Sequence, residues 1–188
     1  METIPSPRER TFTVTEYHKL ASLGVLREDD RVELINGRIY TMTPIGCRHA
    51  ECVRRLTEIL IFKVAPKVRV SVQNPIRLSN HSEPEPDFAL LVPKDVYMGR
   101  HPRPDEVLLV IEVADSTLDF DLDVKTPLYA GAGIREVWVI ALEEQRVHVY
   151  RRPGAQGYAE HGVFQCGDSL EIAAVPDAGA LSVDAMLG

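Results

Sequence analysis

Hydrophobic and polar residues change period several times along this chain, and each change marks an element. From Thr13 to Leu23, the apolar residues Val14, Tyr17, Leu20 and Leu23 recur at helical spacing, and Gly24 is placed to end the helix. Residues 31–42 alternate instead: Val32 and Leu34 stand against Arg31 and Glu33, and Ile39 against Arg38 and Tyr40, around an Asn36-Gly37 pair. Asn-Gly suits the type I′ turn, whose central residues both take positive φ, so this segment predicts a β-hairpin. From Cys47 to about Ala65 helical spacing returns, with Cys52, Val53, Leu56, Ile59, Leu60 and Lys63 on one broad stripe before Pro66 stops it.

Beyond Pro66 the pattern is mainly that of strands. Residues 68–78 alternate and break at Asn74-Pro75, and a Pro-rich entry leads into the short apolar run from Phe88 to Val92. VLLVIEV, residues 107–113, is almost continuously apolar, as expected of a central strand covered on both faces. An acidic stretch from Asp115 to Asp123 reads as a solvated loop, followed by a helix carrying Lys125, Leu128, Tyr129 and Ala132. Pro127 belongs near the start of that helix, because it lacks an N–H and clashes with the preceding turn. EVWVI (136–140) and RVHVY (146–150) read as paired strands around Glu143-Glu144-Gln145, Tyr158 to Phe164 as an edge strand, and Leu181 to Leu187 as a final apolar segment. This order predicts an α/β or α+β domain with a mixed sheet over residues 13–188. Residues 1–12 form a polar N-terminal arm, loosely attached or ordered by a partner.

Composition narrows the class of protein. The chain has 188 residues, of which 45% are hydrophobic and 26% charged, so one core of useful size can form without metal or disulfide staples. With 21 basic and 28 acidic residues the net charge is −7, which opposes a surface wrapped on all sides by phosphate backbone but leaves room for a local basic groove. Arg48, Arg54, Arg55, Lys63 and Lys67 are candidates for such a basic side. Three cysteines without CxxC spacing read as reduced thiols of a cytoplasmic protein. The N-terminus has no apolar leader core, and no run approaches the roughly 18 residues of a membrane span.

Acidic residues at the ends of apolar strands carry the candidate chemistry. Asp87 opens one strand, and Glu112 lies near the end of VLLVIEV, where a carboxylate needs a cation, a donor or water to offset its desolvation. Two convergent carboxylates can hold Mg²⁺ or Mn²⁺, with the Val113 carbonyl as a third oxygen ligand. Such an ion polarises a phosphodiester and generates a nucleophile from bound water. Lys125 can stabilise charge on the phosphate, or it can be a surface lysine paired with Asp121 one turn away. Glu33 has an equally open reading, since strict alternation makes it an exposed strand residue. His49 near a helix start fits a backbone or solvent partner better than a ligand role, and Tyr129 and Trp138 fit the core or its rim. Cys47 and Cys52 lie about 140° apart around a helix and do not share a zinc-binding face. The aspartates of 115–123 lack the Gly and Glu of a Ca²⁺ loop, and no GxGxxG, Walker A, GxSxG or HExxH occurs.

Taken together, VELINGRIYTM, a helix with His49 near its start, PEPDFALLV, LLVIEVADST, and KTPLYAGAGIREVWVI followed by VHVY resemble the Uma2-like members of the PD-(D/E)xK nuclease superfamily. The resemblance runs over residues 13–188 and rests on the order of the pieces more than on any one of them. It implies a restriction-endonuclease-like fold, a mixed sheet flanked by helices, and a Mg²⁺- or Mn²⁺-dependent endonuclease acting on DNA. By that resemblance Asp87 after Pro86 is the aspartate of the PD element, Glu112 the following acidic residue, and Glu33 the glutamate of the ELI-x-G element. Lys125 is then the lysine of the K-x-x-x-Y helix. The superfamily lysine two residues after Glu112 is replaced by Ala114, so catalysis depends on Lys125 standing in for it. A homodimer would match the two strands of a duplex, with the hairpin and the final apolar segment as candidate surfaces. The competing reading is a nuclease-fold protein with little or no activity, serving as a nucleic-acid-binding or protein-interaction module.

Overall fold

The computed structural model describes residues 9–27, 29–64 and 67–188. Pro66 and residues 1–8 of the expected arm therefore lie outside the described residues. Helix α1 (Val14–Ser22) begins at a capping box in which the Thr13 side chain accepts from the Glu16 N–H and Glu16 reaches back to the Thr13 N–H. Of its expected apolar stripe only Val14 is buried, and Leu23 is exposed.

The hairpin forms as predicted, from β1 (Val32–Ile35) and β2 (Arg38–Thr41), with φ of 50° at Asn36 and 78° at Gly37. Gly37 is required twice over, since an added Cβ would collide with the Thr11 Cβ. The preceding chain runs against this turn. Phe12 N–H donates to the Gly37 carbonyl at 2.8 Å, and Arg38 pairs with Glu9 at 2.6 Å.

Helix α2 (Cys47–Val64) buries Cys52, Val53, Leu56, Leu60 and Val64. Val64 takes the place on the stripe that the sequence reading gave to Lys63, which is exposed because its ammonium stays in water. The main sheet has six strands in the order β3 (Arg69–Val72), β4 (Phe88–Leu91), β5 (Val107–Ala114), β6 (Glu136–Ala141), β7 (Arg146–Gly154) and β8 (Gly157–Gln165). Only the β5–β6 pair is parallel. A small second pair, β9 (Ser169–Leu170) with β10 (Leu181–Ser182), precedes helix α5 (Val183–Leu187).

Side chains alternate across the sheet, so each face has its own core. One face packs Phe88, Leu90, Ile111, Trp138 and Ile140 against Leu56 and Leu60 of α2 and Val183 and Met186 of α5. The final apolar segment is consumed in this core, which removes it as a dimer surface. The other face packs Ala89, Val110, Val137 and Val139 against Tyr129.

The stretch between β5 and β6 departs most from expectation. Residues 118–131 are helical throughout: α3 (Leu118–Phe120), a π turn (Asp121–Lys125) and α4 (Thr126–Gly131). The acidic segment is thus loop only up to Thr117. Pro127 is tolerated well inside this helical run because the π turn precedes it. Thr126 N–H reaches back to the Asp121 carbonyl, which also accepts from the Thr126 hydroxyl at 2.8 Å.

Candidate active site

Strand register brings the first two acids together. Phe88 pairs with Ile111, and one step further Asp87 stands across from Glu112, both on the sheet face that carries Ala89, Val110 and Ala114. Asp87 is fixed from several sides. Its Oδ2 accepts from the Val113 N–H at 2.9 Å, its Oδ1 accepts from Gln73 Nε2 at 3.2 Å, and His49 Nε2 lies 3.0 Å from Oδ1. Gln73, at φ 49°, also donates its own N–H to the Asp87 carbonyl.

Glu112 is 3% exposed and has the Tyr129 hydroxyl donating to its Oε1 at 2.5 Å. Lys125 Nζ lies 3.4 Å from the same oxygen, 3.2 Å from Glu33 Oε2 and 3.9 Å from Asp121 Oδ1. Lys125 is therefore a buried hub and no surface lysine. Glu33, too, is buried in spite of the alternation around it, because Lys125 and the segment at Glu85, which follows an isolated bridge between Leu34 and Glu83, close over its side chain. Its Oε2 also accepts from the Glu85 N–H at 3.2 Å.

Asp121 is the member of this cluster that the sequence reading missed, having assigned it to the solvated loop or to a weak surface pair. The π turn buries it, and its Oδ2 accepts from the Thr117 hydroxyl at 2.7 Å. The i, i+4 spacing to Lys125 was the available signal, and its burial follows from helix starting at Leu118.

Three carboxylates thus contact one ammonium and Asp87 adds a fourth beside Glu112, so full ionisation would leave three negative charges uncompensated by Lys125 in a region of low dielectric. Burial pushes Glu112 well above the usual carboxylate range, partly offset by Lys125. Burial likewise raises Asp121 to about 6. On Lys125 burial works downward, but Glu112, Glu33 and Asp121 together outweigh it and hold the ammonium charged. The Tyr129 hydroxyl is raised by burial and then by Glu112, which keeps it a donor.

These groups open into a cavity of about 730 Å³ lined by Glu33, His49, Asp87, Glu112, Asp121 and Lys125, with Tyr40 and Phe120 at its side. His49 belongs to this wall, and its buried Nδ1 has no hydrogen-bond partner. The basic side expected from α2 is largely neutralised: Arg48 pairs with Asp115 at 2.6 Å and Arg54 with Glu51 at 2.7 Å, while Lys67 lies beyond the helix and pairs with Asp177 at 3.4 Å. Trp138 and Tyr129 are core residues, as expected. Cys52 is buried and donates to the Met186 carbonyl, while Cys47 is exposed, so the two do not converge.

The Uma2 family profile, described as "Putative restriction endonuclease", matches residues 14–184. This chain belongs to the Uma2 family. Among solved structures it is similar to that of "a putative nuclease belonging to DUF820" from Anabaena variabilis, with 18% identity, a TM-score of 0.72, and coverage of 94% of this chain and 97% of that one. No curated protein matches it. The Uma2 assignment agrees with the order of motifs in the sequence, and the structural similarity agrees with the mixed sheet and its flanking helices. Among the described residues no helix is long and apolar enough to cross a membrane.

Proposed function

We propose that the protein is a divalent-metal-dependent endonuclease that hydrolyses phosphodiester bonds of DNA. The observation that carries this reading is the pairing of Asp87 with Glu112 beside a buried Lys125 at the floor of an open cavity. The donor set fits a hard cation: carboxylate and carbonyl oxygens from Asp87, Glu112, Glu33 and Val113, in a cluster with a surplus of negative charge. Mg²⁺ or Mn²⁺ held there would polarise the phosphodiester and lower the pKa of a bound water.

This chain's own residues divide the remaining work. The Val113 N–H, Gln73 and His49 fix the Asp87 carboxylate, so no reorganisation is needed when charge arrives. Tyr129 fixes Glu112. Lys125 supplies positive charge to the phosphate as the attacking water forms its bond to phosphorus and the leaving oxygen departs. Glu33 and Asp121 hold the ammonium in place, one from the hairpin and one from the π turn. The family description and the name of the similar crystal structure support nuclease chemistry. The −7 net charge and the paired basic residues of α2 point to few phosphate contacts and a shallow salt dependence. A two-fold dimer would carry one such site to each strand of a duplex.

One observation favours a second reading, in which the fold binds metal and nucleic acid without turnover. Ala114 stands where the superfamily lysine would be, and Lys125 is already engaged by three carboxylates. Incubating the protein with supercoiled plasmid and single-stranded DNA in Mg²⁺, Mn²⁺ or EDTA, beside Glu112→Gln, separates the two. Metal-dependent cleavage that disappears in the variant is the expected result. Cleavage equal in both proteins would refute the assignment, and metal binding without cleavage would establish the second reading.

A further inference from the structure

We infer that His18, Glu83 and His101 form a separate site for a borderline transition-metal ion, with Zn²⁺ the natural probe. His18 comes from α1, Glu83 from the extended segment that bridges to β1, and His101 from the loop before β5. One ligand atom from each lies within 4.8 Å of the other two, the one such trio of His, Cys, Asp or Glu among the described residues. None of the three lines the cavity of the Asp87–Glu112 cluster.

Glu83 carries the independent observation. Its side chain is 2% exposed; Oε1 is engaged by His18 Nε2, while Oε2 is buried with no hydrogen-bond partner. A buried carboxylate oxygen without a donor is costly, and an ion would satisfy it. The backbone around it is fixed, since Glu83 N–H donates to the Leu34 carbonyl at 2.7 Å, so the carboxylate is a preset anchor. The two imidazoles are the adjustable members. Their ring centroids are 6.0 Å apart at 90°, and the His18 side chain is half exposed. Zinc–ligand bonds of about 2.0–2.2 Å place tetrahedral donors roughly 3.3–3.5 Å apart, so side-chain rotation alone can close the trio and leave a fourth position for water.

Two neutral imidazoles and one carboxylate select this class of ion over Mg²⁺, which prefers an all-oxygen shell. Bound there, the ion ties α1 and the His101 loop to the segment that leads, four residues on, into Asp87. Its role is to brace that segment, and it does not depend on the nuclease reading.

The test is a Zn²⁺ titration by calorimetry of EDTA-treated protein in excess Mg²⁺, with exposed Cys47 and Cys166 changed to Ser in every protein compared. One tight site is expected, retained in Glu112→Gln and weakened at least about tenfold in both His18→Ala and His101→Ala. Circular dichroism spectra in EDTA that match the parent show that the variants fold, and the rise in melting temperature with added Zn²⁺ should vanish in both. No binding by the parent protein, or unchanged affinity in either histidine variant, would overturn the site.

Discussion

Two glutamates are buried in neighbouring parallel strands, and their surroundings differ in kind. Glu136, at the start of β6 and 1% exposed, accepts from Trp138 Nε1 at 2.9 Å, from Arg151 Nε at 2.8 Å and from the Ala173 N–H at 2.9 Å. Glu112, on β5 and facing the other side of the sheet, has one hydroxyl donor and a share in a lysine claimed by two other acids. Burial alone therefore does not mark a functional acid. Glu136 has its lone pairs taken by three donors of the fold, whereas Glu112 keeps capacity for a cation or a proton.

The sharpest way to break this comparison is to neutralise each acid in turn. Glu136→Ala should cost about 3–5 kcal/mol in chemical denaturation, because it strands an indole N–H, a backbone N–H and a guanidinium. Cleavage per folded molecule should survive. Glu112→Gln should show the converse, at least about a hundredfold less cleavage with stability unchanged or raised, since it removes an acid whose ionised form burial already disfavours. If both variants lose stability alike, the two acids are both structural and the contrast fails.

Lys125→Met comes next. Leaving Glu33, Glu112 and Asp121 without their shared cation should cost about 3 kcal/mol in the metal-free protein. It should also lower cleavage about 10²-fold or more even where divalent ions restore the fold, as plasmid assays across a Mg²⁺ series would show.

The pH dependence sharpens the contrast by its sign. Asp121 is raised to about 6 by burial, so the native state binds its proton more tightly than the unfolded chain does. That contribution makes the metal-free protein less stable as pH rises from about 4 to 6, with the deficit complete above that window. Glu106 behaves oppositely. Paired with Arg100 at 2.7 Å, it is lowered to about 2, and its contribution is present above the ordinary carboxylate range and lost as pH falls from about 4.5 to 2. Asp121→Asn should reduce the first slope in denaturation curves, to which Glu112 also contributes, and leave the second intact. Smallest of all, Tyr129→Phe should cost about 1 kcal/mol and shift the pH profile of cleavage through the lost donor to Glu112.

The parts of the fold set by local rules were legible from sequence. Asn36-Gly37 specified the hairpin, and the unbroken run at 107–113 specified the central strand. Asp87, Glu112 and Lys125 were named because acids and bases at strand and helix ends stand out against apolar neighbours. What local pattern could not give was decided by contacts from elsewhere. Glu33 sits on the polar phase of an alternating strand and is nevertheless buried, because residues some fifty positions on close over it. Asp121 was hidden by a proline that argued against helix, and Glu136 by a strand that read as apolar although its first residue is charged.

The π turn at Asp121–Lys125 has one more consequence. An extra residue in a helix turns everything after it by roughly 100° relative to everything before. Asp121 on one side of that offset and Tyr129 on the other reach the same small volume only because the offset is there. The stretch is in effect a timing gear between two meshed parts, and its tooth count matters more than the identity of each tooth. Removing a single residue, even exposed Asp123, would throw the two ends out of phase, while many substitutions at that same position would pass unnoticed.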